Sequence, residues 1–599
     1  MKPPKTTSSI AVFLRIWHCI KPYRARLVGA LVLSVLLALM APVRPLLIQY
    51  TLHHGIQSDT KGWVLTTPGA FIIEITLLQL FLLLIESTFR FIFSLSTAKL
   101  GQYVIRDLRK QTFNKVLQLN TRQFDKTPIG MFTTRTINDM EAINEMFSDG
   151  FIPILTDLMS ILAVLIYMFA TNWLVTLICL APFPLLIFAT YLFKHAVNKS
   201  FTRVRNAVAQ LNSFVQEHLM GMSVIQLFSA TSQEQKKFDA INKEHQNANI
   251  KAIFAYSIFF PFVELIAACS IGLLVWWVAR SSYSYSPEEA GSLAGVITSF
   301  VLCLNLLFRP LRMIADKFNV LQMSLIAAER VFQVLDNSDV SIHTSEALPT
   351  TATRFKGEVQ FDDVCFGYQK EVPVLRHINF HIMPGTTTAI VGATGSGKTS
   401  IINLLNRLYE QDTGLIRLDG KDIRDIPLEN IRNNIAVVLQ DPFLFSGSIY
   451  ENITLFDASV SRETVIDACK QLGLHEFIMK LPGTYDFQVL EGGAALSTGQ
   501  RQLVSFARAV VYNPTILMLD EATASVDPLS EQLIQQATES ITHNRTSIII
   551  AHRLSTIRMA DTILVMNQGH LVEQGTHEEL LRQDGYYAKQ YRKQFSVPD

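Results

Sequence analysis

Gly392-Ala393-Thr394-Gly395-Ser396-Gly397-Lys398-Thr399 fits the pattern GxxxxGK[ST] and lies between an apolar run, 387–391, and the helix-compatible Ser400-Ile401-Ile402-Asn403-Leu404-Leu405. Strand, glycine-rich loop and helix in that order make a phosphate cradle. The glycines let the backbone turn its N–H groups inward, Lys398 supplies a mobile positive charge, and Thr399 offers a hydroxyl to a divalent cation. The ligand expected from these residues is a Mg²⁺-bound nucleotide. A loop that only joined strand to helix would not need the Lys-Thr pair.

The rest of the chain decides what such a nucleotide drives. At 599 residues the chain is too long for one ordinary domain. Hydrophobic residues make up 49% and charged residues only 17%, which points to membrane spans. Apolar runs of about 20 residues, enough to cross the hydrocarbon core, occur at 27–50, 71–95, 151–170, 173–193, 252–279 and 291–313. Polar, helix-compatible segments at about 98–150 and 194–251 separate spans two and three, and spans four and five. Folded as two antiparallel arms of about 20 residues each, they reach some 30 Å beyond the membrane at about 1.5 Å per residue. Helix is expected to continue over 321–335, with the domain boundary after it.

Charge is informative by location, since the net charge is only +1 and argues for no nucleic-acid partner. Lys2, Lys5, Arg15, Lys21, Arg24 and Arg26 precede span one. Arg106, Arg109, Lys110, Lys115, Arg122, Lys126 and Arg135 follow span two, and Lys199, Arg203, Arg205, Lys236, Lys237 and Lys243 follow span four. The positive-inside rule then places both termini and both arms in the cytoplasm. The first 26 residues show no small-residue cleavage site and are expected to stay on, at the membrane surface. The six cysteines are scattered without a CxxC, so neither zinc nor a disulfide framework is indicated. Within the spans, Glu86 and Arg90 can pair at i, i+4, Arg44 is expected to snorkel, and Glu264 is the candidate cavity-lining group.

From residue 357 the pattern changes to short strands alternating with helices, with strands expected at 359–361, 387–391, 435–438, 516–519 and 547–551. The fourth of these ends in Asp520-Glu521, which places one carboxylate for Mg²⁺ and one to polarise attacking water. With Gln440 after a strand, Leu496-Ser497-Thr498-Gly499-Gln500-Arg501-Gln502, Ala524-Ser525-Val526-Asp527 and His552 in Ala551-His552-Arg553, this half resembles the ATPase of ABC transporters. The six spans before it resemble the exporter type, so the resemblance covers essentially the whole chain.

That resemblance implies an α-helical membrane domain of six transmembrane helices followed by an α/β P-loop ATPase domain. The expected boundaries are 1–26, an N-terminal cytoplasmic or interfacial segment; 27–335, the membrane domain with its two arms; 336–356, a linker; and 357–599, the nucleotide-binding domain. It implies ATP contacts from Tyr368 by adenine stacking, from Gly392, Thr394, Gly395, Ser396, Gly397, Lys398, Thr399 and Ser400, and from Gln440, Asp520 and Asp527. Mg²⁺ ligation falls to Thr399, Asp520 and Gln440, and catalysis to Glu521, His552 and Gln440. Ser497, Gly499 and Gln500 would meet the γ-phosphate of the opposite subunit, so one chain makes only half a site. The segments 124–135 and 217–228 resemble the arm tips that couple to the ATPase, and Glu491 resembles its communicating acid.

The activity implied is ATP-driven export of a hydrophobic or amphipathic substrate, drug-like or lipid-like, by alternating access across a bacterial inner membrane. One feature departs from the family pattern: Thr498 occupies a position where LSGGQ has glycine. This resembles the MdlB-type subunit of heterodimeric multidrug-like exporters and implies a non-identical partner with one strong and one weak site. A homodimeric lipid or drug flippase is the other assembly. An ATP-gated channel or a regulatory membrane protein is the alternative class, against which Glu521 and His552 argue for turnover.

Overall fold

The computed structural model describes residues 9–56, 68–282, 287–340, 354–369, 371–520, 528–543, 545–551 and 553–595. The chain divides into two compact units, Met1–Leu117 with Ile129–Ser338, and Gln118–Pro128 with Asp339–Asp599.

The first unit is helical: α1 Ser9–Ile20, α2 Arg24–Met40, α3 Val43–Ile56, α4 Pro68–Gln118, and, after the short α5 Thr121–Lys126 of the second unit, α6 Ile129–Thr136, α7 Asn138–Glu145, α8 Phe151–Thr171, α9 Trp173–Leu180, α10 Phe183–Met220, α11 Met222–Leu227, α12 Thr231–Ser282 and α13 Pro287–Leu335. Among the described residues six helical stretches are long and apolar enough to cross a membrane. The 51 residues of α4 measure about 76 Å at about 1.5 Å per residue, more than twice a hydrocarbon core of about 30 Å. Spans therefore run straight on into the arms.

The two arms differ in build. The second is one helix down and one helix up, α10 and α12, joined through α11. They are pinned by His218 Nε2 to Glu234 at 2.8 Å, with Lys237 on the same carboxylate at 2.8 Å. The first returns in pieces, with α6 and α7 separated at Ile137 and a π-turn over Met146–Gly150 before α8. The i, i+4 pair Glu86–Arg90 forms at 2.9 Å. Glu264 is exposed on α12, and Arg44 is exposed on α3.

The N-terminal segment is more deeply engaged than an amphipathic surface helix requires. Val12, Ile16 and Ile20, on one face of α1, are buried with Leu100, Val104 and Leu108 of α4 and Ala327, Ala328 and Val331 of α13. Arg15 grips Asp336 through both terminal guanidinium nitrogens and lies 4.2 Å over the Phe332 ring. Ile10, Leu14 and Trp17 on the opposite face stay exposed, the face an interfacial helix would give to lipid. A second core gathers Met168 of α8, Phe193 of α10, Phe259 of α12 and Phe300 and Phe308 of α13.

The second unit holds β1 Val359–Phe366, β2 Leu375–Ile382, β3 Thr387–Gly392, α14 Lys398–Leu405, β4 Thr413–Leu418, β5 Lys421–Asp422, β6 Ile435–Val438, β7 Gly447–Ser448, β8 Gln488–Val489, β9 Ile516–Asp520, β10 Thr546–Ile550, β11 Thr562–Asn567 and β12 His570–Gly575. The main sheet has the order β12-β11-β3-β10-β9-β6, parallel except for the β11–β12 edge. A smaller antiparallel sheet, β2-β1-β4-β5, lies beside it in the sequence. Alternate residues of the central strands feed two cores: Ala389, Val391, Leu517, Leu519 and Ile549 on one face, and Ile390, Ile516, Met518, Ile548 and Ile550 on the other. Helices cover both faces, which is why these strands read as unbroken apolar runs.

Ile16 is 1% exposed. Ile16→Ala is expected to cost about 2–4 kcal/mol in the helical unit, whereas Leu14→Ala on the exposed face should change stability by no more than about 0.5 kcal/mol. Thermal unfolding of the two variants in the same lipid checks the difference.

Candidate nucleotide site

The phosphate loop is the link from the central strand β3 to α14. Gly392 ends the strand against the neighbouring β11, where a Cβ would fall 2.2 Å from the Met566 carbonyl oxygen. Gly397, with φ of +101°, turns the chain into α14. Lys398 opens that helix, and its ammonium curls back to donate to the carbonyls of Gly392 at 2.8 Å and Ala393 at 3.1 Å. The side chain is 6% exposed, and burial lowers its pKa, opposed by the charge of Asp520. A buried ammonium satisfied only by carbonyl oxygens is short of negative charge, and an anion at the loop supplies it.

Ser396 adds a second sign: its Oγ is buried without a hydrogen-bond partner among the described residues. Both features fit a phosphate chain. Thr394 and Gly395 form the open crest of the loop, Gly395 with φ of +81° and space where a Cβ would lie. Thr399 Oγ1 donates to Asp520 Oδ2 at 3.3 Å. Asp520, 7% exposed, ends β9, every residue of which is buried. A hydroxyl and a carboxylate held together beside a phosphate cradle form a donor set of the kind Mg²⁺ takes. Gln440 is exposed, two residues beyond β6 at the sheet edge next to β9.

Tyr368 lies just after β1, half-buried, with its hydroxyl at 3.1 Å from Ser400 Oγ and accepting from Asn403 Nδ2 at 3.0 Å. The aromatic is thus tied to the helix that carries the phosphate loop.

Ser497, Gly499 and Gln500 are brought together at the start of the helix Thr498–Val511. Ser497 is its N-cap, and Gln500 Oε1 accepts from the Ser497 N–H at 2.9 Å, closing a capping box. The S-x-x-Q spacing carried that signal in the sequence, although a phosphate contact alone was expected of Gln500. Thr498 Oγ1 accepts from Arg501 Nη2 at 3.1 Å, so the extra side chain is tied to its own helix. Glu491 is exposed and opens a short turn before this helix. Glu521, Asp527 and His552 lie outside the described residues. β9 ends directly before Glu521, and Ala551, next to His552, donates its N–H to Ile390 at 3.1 Å.

Three residues outside the nucleotide motifs, Arg122, Asp125 and Tyr409, belong to this region; of these only Asp125, within 124–135, lies in a segment whose resemblance implied coupling to the ATPase. Arg122 Nη2 donates to the Tyr368 carbonyl at 2.7 Å, and the Tyr409 hydroxyl donates to Asp125. These pairs are separated by 246 and 284 positions, so no local pattern could have joined them.

Comparison with known proteins agrees with this geometry. Residues 27–311 match the family described as the ABC transporter transmembrane region, and residues 375–524 match the family described as ABC transporter. The putative ABC transporter ATP-binding protein exp8 of Streptococcus pneumoniae is 35% identical over 97% of both chains. The ATP-dependent lipid A-core flippase of Thiobacillus denitrificans is 32% identical over 97% of this chain and 98% of its own. A probable multidrug resistance ABC transporter, YheH of Bacillus subtilis, is 35% identical over 82% of this chain and 72% of its own. The solved structure of a bacterial Atm1-family ABC exporter with ATP bound superposes with a TM-score of 0.75 at 27% identity, over 96% of this chain and 99% of that one. This chain therefore belongs to the ABC transporter family, as a multi-pass exporter half-transporter whose six-helix membrane region and ATPase share one polypeptide and couple ATP hydrolysis to transport.

Proposed function

We propose that the chain is one half of a dimer that exports hydrophobic or amphipathic molecules, drug-like or lipid-like, from the inner leaflet of a bacterial cytoplasmic membrane. The single observation that carries the dimer is a pair of uncovered apolar surfaces. At the tip of the second arm Leu219, Met220, Leu227 and Phe228 are between 65% and 81% exposed. On the ATPase, Leu439, Phe443, Phe445, Phe456 and Leu490 are exposed; the rings of Phe443, Phe445 and Phe456 touch edge-on in turn, and Leu439 and Leu490 directly precede Gln440 and Glu491. Contiguous apolar patches of this kind mark an interface, and two patches on one chain are satisfied by pairing with another half-transporter. The basic flanks of the even-numbered span ends support a cytoplasmic position for both surfaces and both termini.

Within the site, Gly392 to Ser400 cradle the phosphates, Tyr368 gives adenine a face to stack on, and Thr399, Asp520 and Gln440 hold Mg²⁺. When bound, that ion would neutralise the charge of the phosphates. Glu521 orients and polarises the attacking water, His552 hydrogen-bonds the γ-phosphate, and Asp527 contributes to nucleotide binding. Ser497, Gly499 and Gln500 face the partner's γ-phosphate from the start of their helix, where backbone N–H groups and the helix dipole favour an anion. ATP closes the joint, the arms pass closure to the spans, and hydrolysis resets them.

The partner is the open choice within this reading. Thr498 in place of the usual glycine supports a non-identical partner. The hydrogen bond from Arg501 to Thr498 supports the second reading, a homodimer, because it draws the added side chain onto its own helix.

Glu521→Gln is expected to leave ATP binding intact and to lower turnover at least about a hundredfold, the scale of a lost general base; wild-type ATPase rates in that variant would remove Glu521 from the chemistry. For the assembly, Phe228→Cys and Phe443→Cys in the chain expressed alone are expected to form an intermolecular disulfide at dimer mass if the partner is a second copy. Adduct formation only after co-expression with a different half-transporter assigns a heterodimer, and a monomeric adduct would overturn the intermolecular joint.

A further inference from the structure

Tyr368 is held from three directions. Its hydroxyl is fixed to Ser400 and Asn403 on α14. Its ring stands edge-on to Tyr409, with centroids 5.0 Å and planes 88° apart. Its carbonyl accepts from Arg122. Tyr409 is itself 9% exposed, and its hydroxyl donates to Asp125. Burial, and then the hydrogen bond to that carboxylate, raise the phenol's pKa, so it stays a donor at physiological pH. Arg122 and Asp125 are both on α5, the six-residue helix between the descending and ascending limbs of the first arm. One helix thus reaches the same aromatic twice, at its backbone and through a second ring.

These contacts exceed what docking of α5 needs. Asn120 donates its N–H to the Asp339 carbonyl at 3.2 Å, Gln123 reaches the Asp339 carboxylate, and Leu119 forms a β-bridge with Val340. Those three fasten α5 without touching the aromatics. Arg122 instead reaches the Tyr368 carbonyl, and Asp125 the hydroxyl of Tyr409, whose ring abuts Tyr368.

We propose that Arg122 and Asp125 are positioning residues for base recognition: through the Tyr368 carbonyl and the Tyr409 phenol they set the ring against which a purine stacks, so base occupancy and seating of the first arm's tip stabilise one another. This rests on the reading of Tyr368 as the adenine platform. Coupling of this kind is reciprocal: whatever pulls α5 away weakens purine binding, and a bound purine holds α5 in place.

The test uses the full chain in lipid nanodiscs, with kcat and KM for MgATP and MgUTP, and inhibition by tripolyphosphate, which has no base. Tyr409→Phe and Asp125→Ala are each expected to raise KM for MgATP about three- to tenfold, the scale of one lost hydrogen bond. Turnover should stay within about twofold. The advantage of ATP over UTP should shrink, tripolyphosphate inhibition should be unchanged, and the double variant should be no worse than either single one. Gln123→Ala, which loosens only the docking contact, should keep the wild-type ATP/UTP ratio. A wild-type ratio in both Tyr409→Phe and Asp125→Ala, with a collapsed ratio in Tyr368→Ala, would overturn the positioning role and spare the platform. A wild-type ratio in Tyr368→Ala would remove the platform itself, and this inference with it.

Discussion

A backbone inside hydrocarbon finds no water, so each N–H and C=O must be bonded within its own segment, and a helix meets that demand. Once α4, α12 and α13 run to 51, 52 and 49 residues, the excess beyond the bilayer is already helical. What those extensions lack is the hydrocarbon that hid their apolar faces, and side-chain packing replaces it. Leu100, Val104 and Leu108 of α4 meet Ile143 and Val331 and are closed over by α1. Arg330 meets the buried Asp139 at 2.8 Å in the same region. The arms are consequences of span length, and α1 is the piece that makes the first of them compact.

The ATPase depends on the same accounting of backbone groups in a different medium. Its central strands are buried on both faces, so they end where polar chemistry can begin. β3 ends in the phosphate loop and β9 ends in Asp520, with β10 between them in the sheet. Parallel pairing aligns those ends, and Thr399 and Asp520 meet there although 121 positions separate them. Site geometry at this point is sheet geometry.

Features determined by local pattern could be read from the chain alone. The phosphate loop, the strand 435–438 and the six spans each carry their own period or spacing. β2 did not, because His377, with positive φ, sits in a register shift between Leu375 and Ile378, and strict alternation is lost. The antiparallel edge β11–β12 was missed for a related reason, since no residue of β12 is fully buried. The division of the first arm also escaped, because 118–128 groups with the ATPase only through partners such as Tyr368, Asp339 and Tyr409, distant in sequence. Hydropathy reports which residues avoid water and says nothing about which distant residue they meet.

The capping box at Ser497 has a consequence for proton direction. The hydroxyl oxygen accepts the Gln500 N–H at 3.3 Å, and the Ser497 N–H is taken by the Gln500 side chain. One lone pair of the serine is therefore engaged on the side of its own helix, while the O–H proton remains available to turn outward. The helix start is left presenting a donor, and it does so without drawing on Thr498, whose hydroxyl is engaged by Arg501. An acceptor oxygen arriving there can be met by that proton, while only one lone pair of the serine remains for anything else.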